Sequence, residues 1–342
     1  MSLIVHRGPL SLFDGTITGE DPFAILDDGA IVIDDDTVID KGPAWRILME
    51  YQTATVVPVD RVISPGLRDA HTHFPQTRVM GTYAGGLLEW LESVTFPEEA
   101  KFSRPAYAEV VAREFFDALE AAGTTDVTVF CTSHPASVEA LFAEAETRSI
   151  TVTAGLVMMD RNAPSPLLTP AQDAYDDAKA LIERWHGAAG GRLSYAVTPR
   201  FAPTSSPALL EAAATLLDEH PTCILQTHLS ESVEEVAWVK RLFPQAPDYL
   251  GVYEAFGLLR PGGIFAHGIH LSDREVAALA AHDAVVAHCP TANRFLGSGR
   301  CDVTRLLNAG VTVRLGTDVG AGTTFDIMEV AREAEGIPHI KI

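Results

Sequence analysis

Histidine and aspartate side chains recur where apolar runs of the sequence end. His71 and His73 form an H-x-H pair, His228 and His267 close two later runs, and Asp318 closes another. Residues two apart on a strand point to the same face, so His71 and His73 can reach a single metal ion. Imidazole nitrogens combined with a carboxylate oxygen suit Zn²⁺ or another borderline divalent ion. The set therefore predicts a metal site, whereas an H-x-H pair alone is also typical of two histidines that only form hydrogen bonds.

Glu231 is the residue predicted to move protons at this site. A divalent metal lowers the pKa of water enough to supply hydroxide near neutral pH. A carboxylate that does not bind the metal must then carry protons between water, substrate and leaving group. Glu231 follows His228 by three residues and is suited to this role. It is also suited to the start of the following helix, where an acid interacts favourably with the helix dipole, and the two roles are compatible.

The elements that must position these residues alternate between strand and helix. Eight apolar runs end in polar residues: Val62–Pro75, Thr124–His134, Thr151–Arg161, Leu193–Thr204, Thr222–Glu231, Gly263–Ser272, Ala284–Phe295 and Thr312–Gly322. Helical patterns lie between them at Arg104–Ala122, Ala171–His186, Pro207–Glu219, Ser232–Leu242 and Ser272–His282. Ser206 and Ser272 are suited to cap two of these helices.

This alternation predicts an α/β fold with a parallel sheet. Eight strands favour a closed (β/α)8, TIM-like barrel, in which catalytic side chains gather at the carboxyl ends of the strands. A doubly wound open sheet is the alternative, and the lack of a G-x-G-x-x-G after any predicted strand weighs against it.

The first 62 residues have a different pattern, with short strands joined by acidic turns. The segment Gly29–Ile39 predicts a hairpin around an Asp-rich turn. We therefore expect a small β region over residues 1–62, too short for a large core of its own, followed by the barrel over residues 63–342.

The composition excludes several classes of function. Among 342 residues, 25 Lys and Arg against 46 Asp and Glu give a formal net charge of −21, which disfavours nonspecific binding to nucleic acid. The sequence has no signal-peptide pattern and no apolar run near the about 18 residues of a membrane span. Its four cysteines form no C-x-x-C pair, which favours free thiols in a reducing compartment. We expect a cytoplasmic protein with neither a nucleic-acid nor a membrane partner.

With these motifs the sequence resembles the metal-dependent amidohydrolase superfamily. The resemblance is carried by Pro65–His73, by His228 with Glu231, and by His267 and Asp318. A narrower resemblance, to the guanine deaminase family within it, is carried by further segments: Phe74–Thr77, Leu87–Leu91, Thr95–Pro97, Thr198–Ala202, Ala266–Gly268, His288–Thr291, Asn293 and Gly316–Gly320. Together the matches extend from the N-terminal strands to about residue 330.

The resemblance implies a metal centre and its catalytic groups. The positions that match the ligands of one zinc ion per chain are His71, His73, His228 and Asp318. His267 matches a histidine that is a ligand or lies beside the metal and the substrate. Glu231 matches the proton shuttle, and Asp318 also matches a group that accepts a proton from the attacking water.

The resemblance also implies a small purine substrate, held by Gln76, Arg200, Phe201 and His228. An arginine fork and a glutamine amide can read the edges of a guanine ring, and an aromatic side chain can cover its face. The implied reaction is hydrolytic deamination of guanine to xanthine and ammonia, as in purine catabolism. Other roles stay open, because Arg200 is also suited to an ion pair, Phe201 to core packing, and Trp90 to packing beside the pocket.

Several alternatives accompany this interpretation. The substrate of such a site is alternatively 8-oxoguanine, a pterin or a triazine, or the chain is a truncated, non-catalytic relative. Arg68 stands where an apolar residue is more usual, and the chain ends at Ile342, sooner than in the family that it resembles. We therefore expect that strands completing the small β region are missing, which leaves unpaired edges. Because related barrels often dimerise, a homodimer is a further expectation.

Overall fold

The computed structural model describes residues 3–17 and 24–335. Its strands are β1 (Ile4–Ser11), β2 (Thr16–Ile17), β3 (Ile25–Asp34), β4 (Thr37–Pro43), β5 (Thr55–Pro58), β6 (Leu67–His73), β7 (Thr124–Phe130), β8 (Thr151–Gly155), β9 (Val157–Met158), β10 (Leu193–Pro199), β11 (Ile224–Leu229), β12 (Ile264–His267), β13 (Val285–His288) and β14 (Thr312–Leu315). Its helices are α1 (Ala44–Glu50), α2 (Leu87–Trp90), α3 (Phe96–Glu99), α4 (Pro105–Ala121), α5 (Pro135–Glu146), α6 (Ala171–Trp185), α7 (Ala188–Gly191), α8 (Pro207–Glu219), α9 (Val233–Leu242), α10 (Tyr249–Ala255), α11 (Asp273–Ala281), α12 (Pro290–Phe295), α13 (Val303–Asn308) and α14 (Ile327–Glu335).

Two compact units divide the described residues, one with residues 3–14 and 24–67 and one with residues 15–17 and 68–335. In the first unit the strand order is β4-β3-β1-β5. Strands β3 and β4 pair antiparallel around a turn that contains Asp35, which confirms the predicted hairpin. Its core is formed by small and β-branched side chains of β1, β3 and α1: Val5, Ala30, Val32, Ala44 and Ile47.

The second unit is the predicted α/β barrel. Its strand order is β2-β14-β13-β12-β11-β10-β8-β7-β6, and each strand from β7 to β14 along this path runs parallel to its neighbour. All eight strands predicted from the apolar runs form, although each is shorter than its run. At the carboxyl ends of the strands, the N–H of Asp318 donates to the carbonyl oxygen of His71 at 2.8 Å. This bond joins the first strand of the barrel to the segment that follows the last one.

The helices begin where polar side chains can satisfy the free N–H groups of the first turn. Ser206 accepts from the N–H of Leu209 at the start of α8, and Ser272 forms a capping box with Glu275 at the start of α11. Both predicted caps are confirmed. The sequence analysis missed α5 and the short helical pieces between β6 and α4. Among the described helices, none is both long and apolar enough to cross a membrane.

Two further expectations have a direct physical explanation. Arg68, on β6, forms an ion pair with Asp126 on β7, with Nε and Oδ2 2.8 Å apart, so a charged residue is accommodated at that position. The four cysteines are all free, as the sequence predicts, and all four are buried. Burial raises the pKa of the Cys131 and Cys289 thiols well above the usual range, so they stay protonated.

The close approach of β8 and β10 requires a glycine, and we predict that Gly155→Ala destabilises the barrel. A Cβ at Gly155 would lie 1.8 Å from the carbonyl oxygen of Ala196, so one strand must move. We expect the free energy of unfolding to fall by about 1–3 kcal/mol, measured by urea denaturation. Gly86→Ala is the matched control, because no atom lies within 4 Å of its added Cβ. Equal stability of the two variants would contradict this account of the packing.

Candidate active site

His71, His73, His228 and Asp318 converge at the carboxyl ends of the barrel strands. Oδ1 of Asp318 lies 3.3 Å from Nε2 of His71 and 3.3 Å from Nε2 of His73. Nε2 of His73 and Nε2 of His228 are 3.2 Å apart. His267 joins the cluster, because one ligand atom each from His71, His228 and His267 lies within 4.8 Å of the others. All five side chains are buried. The distances between their ligand atoms are short enough for them to share one cation.

The hydrogen bonds around the imidazoles leave metal-binding nitrogens facing the cluster. Nδ1 of His228 donates to the carbonyl oxygen of Arg200 at 2.8 Å, and Nδ1 of His267 donates to Oδ1 of Asn293 at 2.9 Å. These bonds fix the tautomers, so that Nε2 of each ring carries the lone pair. Both ring nitrogens of His71 are buried without a hydrogen-bond partner among the described residues. Buried polar atoms without a hydrogen-bond partner are costly. A divalent cation bound to the imidazole nitrogens of the cluster would remove this cost.

The protonation states of three of the four histidines also fit a metal. Burial lowers the pKa of His71, His73 and His228 well below the usual range, which favours the neutral imidazole that binds metals. For His267, burial alone would lower the pKa, but the nearby carboxylates of Glu231 and Asp318 together outweigh it and raise the pKa. The chemistry and the burial of the donors therefore fit a divalent metal ion with nitrogen and oxygen ligands.

Two of the cluster residues have a left-handed backbone. The φ angle is 72° at His267 and 50° at Asp318, in a region that side chains other than glycine rarely adopt. Residues held there cost about 1–3 kcal/mol each and persist only when the surrounding structure fixes them. His267 is the last residue of β12, and Asp318 lies three residues after the end of β14. Both side chains lie in the cluster.

Asp69 is a buried residue of the site that the sequence analysis did not single out. Its carboxylate accepts from the N–H of Thr317 at 2.9 Å and of His71 at 3.2 Å, and also from the Thr317 hydroxyl. Burial raises the pKa of Asp69 to about 7. It therefore links β6 to the segment that carries Asp318. The signal was its place two residues before His71, which puts it on the same face of the strand.

Glu231 lies beside the cluster. Its Oε2 is 3.4 Å from Nε2 of His267, and its Oε1 accepts from the Ser298 hydroxyl at 3.2 Å. Burial raises the pKa of Glu231 to about 7, so it can both hold and release a proton near neutral pH. The N–H of Glu231 donates to Oε2 of Glu235 at 2.8 Å. Ser232 is the N-cap of α9 and forms a capping box with Glu235, so the Glu231 side chain is not part of the cap.

A cavity opens next to the cluster. Its polar lining comes from residues that were predicted to act: His73, Gln76, Arg200, His228, Glu231, His267 and Asp318. Its apolar lining consists of Leu87, Trp90, Leu91, Phe201, Leu296 and Ala321. Trp90 packs in this wall, and its indole N–H donates to the carbonyl oxygen of Thr82 at 2.8 Å. An apolar cavity with a few convergent polar groups is typical of small-molecule sites.

Arg200 and Gln76 share a buried partner that sequence reasoning missed. Nη1 of Arg200 lies 3.0 and 2.9 Å from the two carboxylate oxygens of Glu99, and Nε2 of Gln76 donates to Oε1 of Glu99 at 3.0 Å. Arg200 thus forms the ion pair that was considered as an alternative, and it lines the cavity as well. Glu99 lies in the irregular helical connection between β6 and α4, where no strand or helix periodicity marks it.

Comparisons with known proteins agree with this geometry. The model of the amidohydrolase family matches residues 62–338. The chain is similar to guanine deaminase of Escherichia coli, with 45% identity over 80% of this chain and 62% of that protein. It is 42% identical to a probable guanine deaminase of Deinococcus radiodurans, over 93% of this chain and 74% of that protein. The crystal structure of guanine deaminase from C. acetobutylicum with bound guanine superposes with a TM-score of 0.88 at 32% identity, over 97% of this chain and 78% of that one.

We predict that His71→Ala abolishes tight metal binding. Removing an outer partner of a ligand already costs about 10–100-fold in metal affinity, so loss of a ligand should cost at least as much. The measurement is bound Zn²⁺ per chain after gel filtration, by inductively coupled plasma mass spectrometry. His282→Ala, at the end of α11, serves as control and should keep the wild-type metal content. Full metal content in the His71 variant would rule out this cluster.

Proposed function

Because the chain belongs to the amidohydrolase family, we propose that it is a zinc-dependent hydrolase that deaminates guanine to xanthine and ammonia. The chain spans 62% of the length of the Escherichia coli relative. That relative is a guanine deaminase, and the C. acetobutylicum guanine deaminase has guanine bound in its active site. These similarities support guanine over a pterin or a triazine.

One observation carries the proposal more than any other. Four buried imidazoles and the carboxylate of Asp318 meet beside Glu231, whose pKa burial raises to about 7, at the wall of the cavity. Nitrogen and oxygen ligands with a separate proton carrier are what metal-assisted hydrolysis requires. A merely structural metal site would not need a titratable carboxylate that faces a cavity.

His71, His73, His228 and Asp318 would hold the zinc ion, and His267 is a further candidate ligand. When bound, zinc supplies Lewis-acid chemistry, since it lowers the pKa of water and so provides a nucleophile near neutral pH. Glu231 can take a proton from the attacking water and give it to the ring nitrogen next to C2. After attack, Glu231 or Asp318 can take the remaining proton from the hydroxyl at C2 and pass it to the departing amine, so that ammonia leaves and the C2 carbonyl of xanthine forms.

Gln76, Arg200, Phe201 and His228 would hold the purine. The guanidinium of Arg200 offers N–H donors to a ring carbonyl or nitrogen, and the Gln76 amide can complement an N–H of the ring. Phe201 presents an aromatic wall of the cavity, which can cover a planar ring. A cytoplasmic location and a homodimer remain predictions from the sequence.

We predict that Glu231→Gln lowers kcat for guanine by about 10²–10⁴-fold, because the amide cannot move protons. The readout is the ultraviolet change as guanine becomes xanthine, measured with zinc-supplemented protein. Metal content should be unchanged, since Glu231 is not a proposed ligand. Glu234→Gln is the matched control, an exposed acid on the next helix, and should keep wild-type turnover. Equal activity of the Glu231 variant and wild type would remove Glu231 from the mechanism.

We predict that Gln76→Ala harms guanine turnover without loss of metal. Removing a neutral hydrogen bond at a buried site costs about 0.5–1.5 kcal/mol, so KM should rise by several-fold or more. Metal content and guanine kinetics are measured on the same preparation. If zinc is lost together with activity, Gln76 supports the metal centre and does not read the substrate.

A further inference from the structure

Glu99 is a fully buried carboxylate at the end of α3. Its two oxygens lie 3.0 and 2.9 Å from Nη1 of Arg200, and its Oε1 also accepts from Nε2 of Gln76 at 3.0 Å. Both partners line the cavity, whereas Glu99 itself does not. The carboxylate therefore lies behind the two residues that are proposed to read the purine edge.

Stability alone is a weak reason for such a pair. Arg200 is 3% exposed and Glu99 0%, so both ions lose nearly all of their hydration. The desolvation penalty of a buried ion pair often equals or exceeds the attraction, and well-packed apolar residues are frequently as stable. Phe96, one turn earlier on α3, packs against the same guanidinium. Cζ of Arg200 lies 5.4 Å from the centroid of the Phe96 ring. Two residues of α3 thus contact the guanidinium of Arg200, which favours orientation as the role of Glu99.

Glu99 also decides which end of the Gln76 amide is free. Because Nε2 donates to Glu99, Oε1 is left buried and without a partner among the described residues. Oε1 lies against Gly320, where a Cβ would come within 2.0 Å of it, so the close approach depends on glycine there. An amide has one donor end and one acceptor end of nearly the same shape. Glu99 therefore fixes the orientation of the Gln76 amide, with Oε1 as the acceptor end that is left free.

The same contact controls the charge on this side of the cavity. An unpaired guanidinium is a strong site for carboxylates, phosphates and other anions. Here the negative charge of Glu99 offsets that of Arg200, while N–H groups of the guanidinium that do not bond to Glu99 stay able to donate. A neutral ring with a carbonyl acceptor and an N–H donor complements this arrangement better than an anionic ring does.

We propose that Glu99 is a positioning residue that orients Arg200 and Gln76 toward the substrate and, by offsetting the charge of Arg200, makes the cavity selective for a neutral purine over an anionic one. The inference rests on the proposed function, because it takes guanine as the substrate that these residues read.

The test compares Glu99→Gln with wild type in zinc-supplemented protein. The substitution keeps the shape of the side chain and removes its charge. KM for guanine should rise at least about tenfold. Breaking a buried charge pair costs at least about 2 kcal/mol, which corresponds to more than a tenfold loss of affinity. Zinc content should be unchanged and kcat should stay within about threefold, because Glu99 contacts neither the cluster nor the proton carrier. Inhibition by urate, a purine that is a monoanion at neutral pH and has no C2 amine to lose, should become stronger.

Glu98→Gln is the matched control. Glu98 is a buried acid on the same helix, and it bonds to Lys101 and Tyr107, not to cavity residues. Its variant should have wild-type KM for guanine and wild-type urate inhibition. If it reproduces the Glu99 effects, these reflect general damage to α3, and the proposal fails.

Glu99→Asp distinguishes the effect of the position of the carboxylate from the effect of its charge. It also provides the test if Glu99→Gln does not fold. It keeps the negative charge but withdraws it by one methylene, so KM should rise while urate inhibition stays at the wild-type level. Unchanged KM in either Glu99 variant overturns the proposal, as does a loss of kcat that tracks zinc loss. A wild-type protein that binds zinc but leaves guanine unchanged contradicts the proposed function instead, which keeps the two failures distinguishable.

Discussion

Burying several imidazoles together with a carboxylate is unfavourable unless something compensates for their lost hydration. In this barrel Oδ1 of Asp318 lies 3.3 Å from Nε2 of both His71 and His73, and Nε2 of His73 lies 3.2 Å from Nε2 of His228. Neither ring nitrogen of His71 makes a hydrogen bond of good geometry with the described residues. Unpaired buried polar groups cost about 1–3 kcal/mol each. A divalent cation would compensate for this cost, and the contacts around the cluster would then hold its ligands in place.

The supports of the cluster come from different parts of the barrel. Asp69 ties β6 to the segment after β14, Asn293 fixes the tautomer of His267, and the capping box at the start of α9 holds the backbone of Glu231. Each of these contacts uses a buried hydrogen bond to fix a side chain that faces the mouth of the barrel. The backbone at His267 and Asp318 is left-handed, which is a strained conformation. Such strain is typical of positions where it places a functional side chain.

Most of the barrel could be predicted from the sequence, because buried parallel strands are continuous apolar runs and polar residues mark their carboxyl ends. The roles of His71 and His73 could be predicted from their period-2 spacing, and the cap at Ser272 from its place before an acidic first turn. Glu99 and the helical pieces around it could not be predicted, because this connection follows neither the helix nor the strand periodicity. The key contact of Glu99 is also with Arg200, about 100 positions away in the sequence. The partner of Arg68 was missed for the same reason, since Asp126 lies on a different strand.

The central claim is that one metal ion in the buried cluster makes the chain an enzyme. The most direct test adds Zn²⁺ stepwise to metal-depleted, folded protein and follows the conversion of guanine to xanthine by ultraviolet absorbance. The account predicts no conversion without metal, and activity that rises with zinc and levels off at one equivalent per chain. Conversion that is independent of zinc, or no conversion by folded protein that holds one zinc ion per chain, would contradict it.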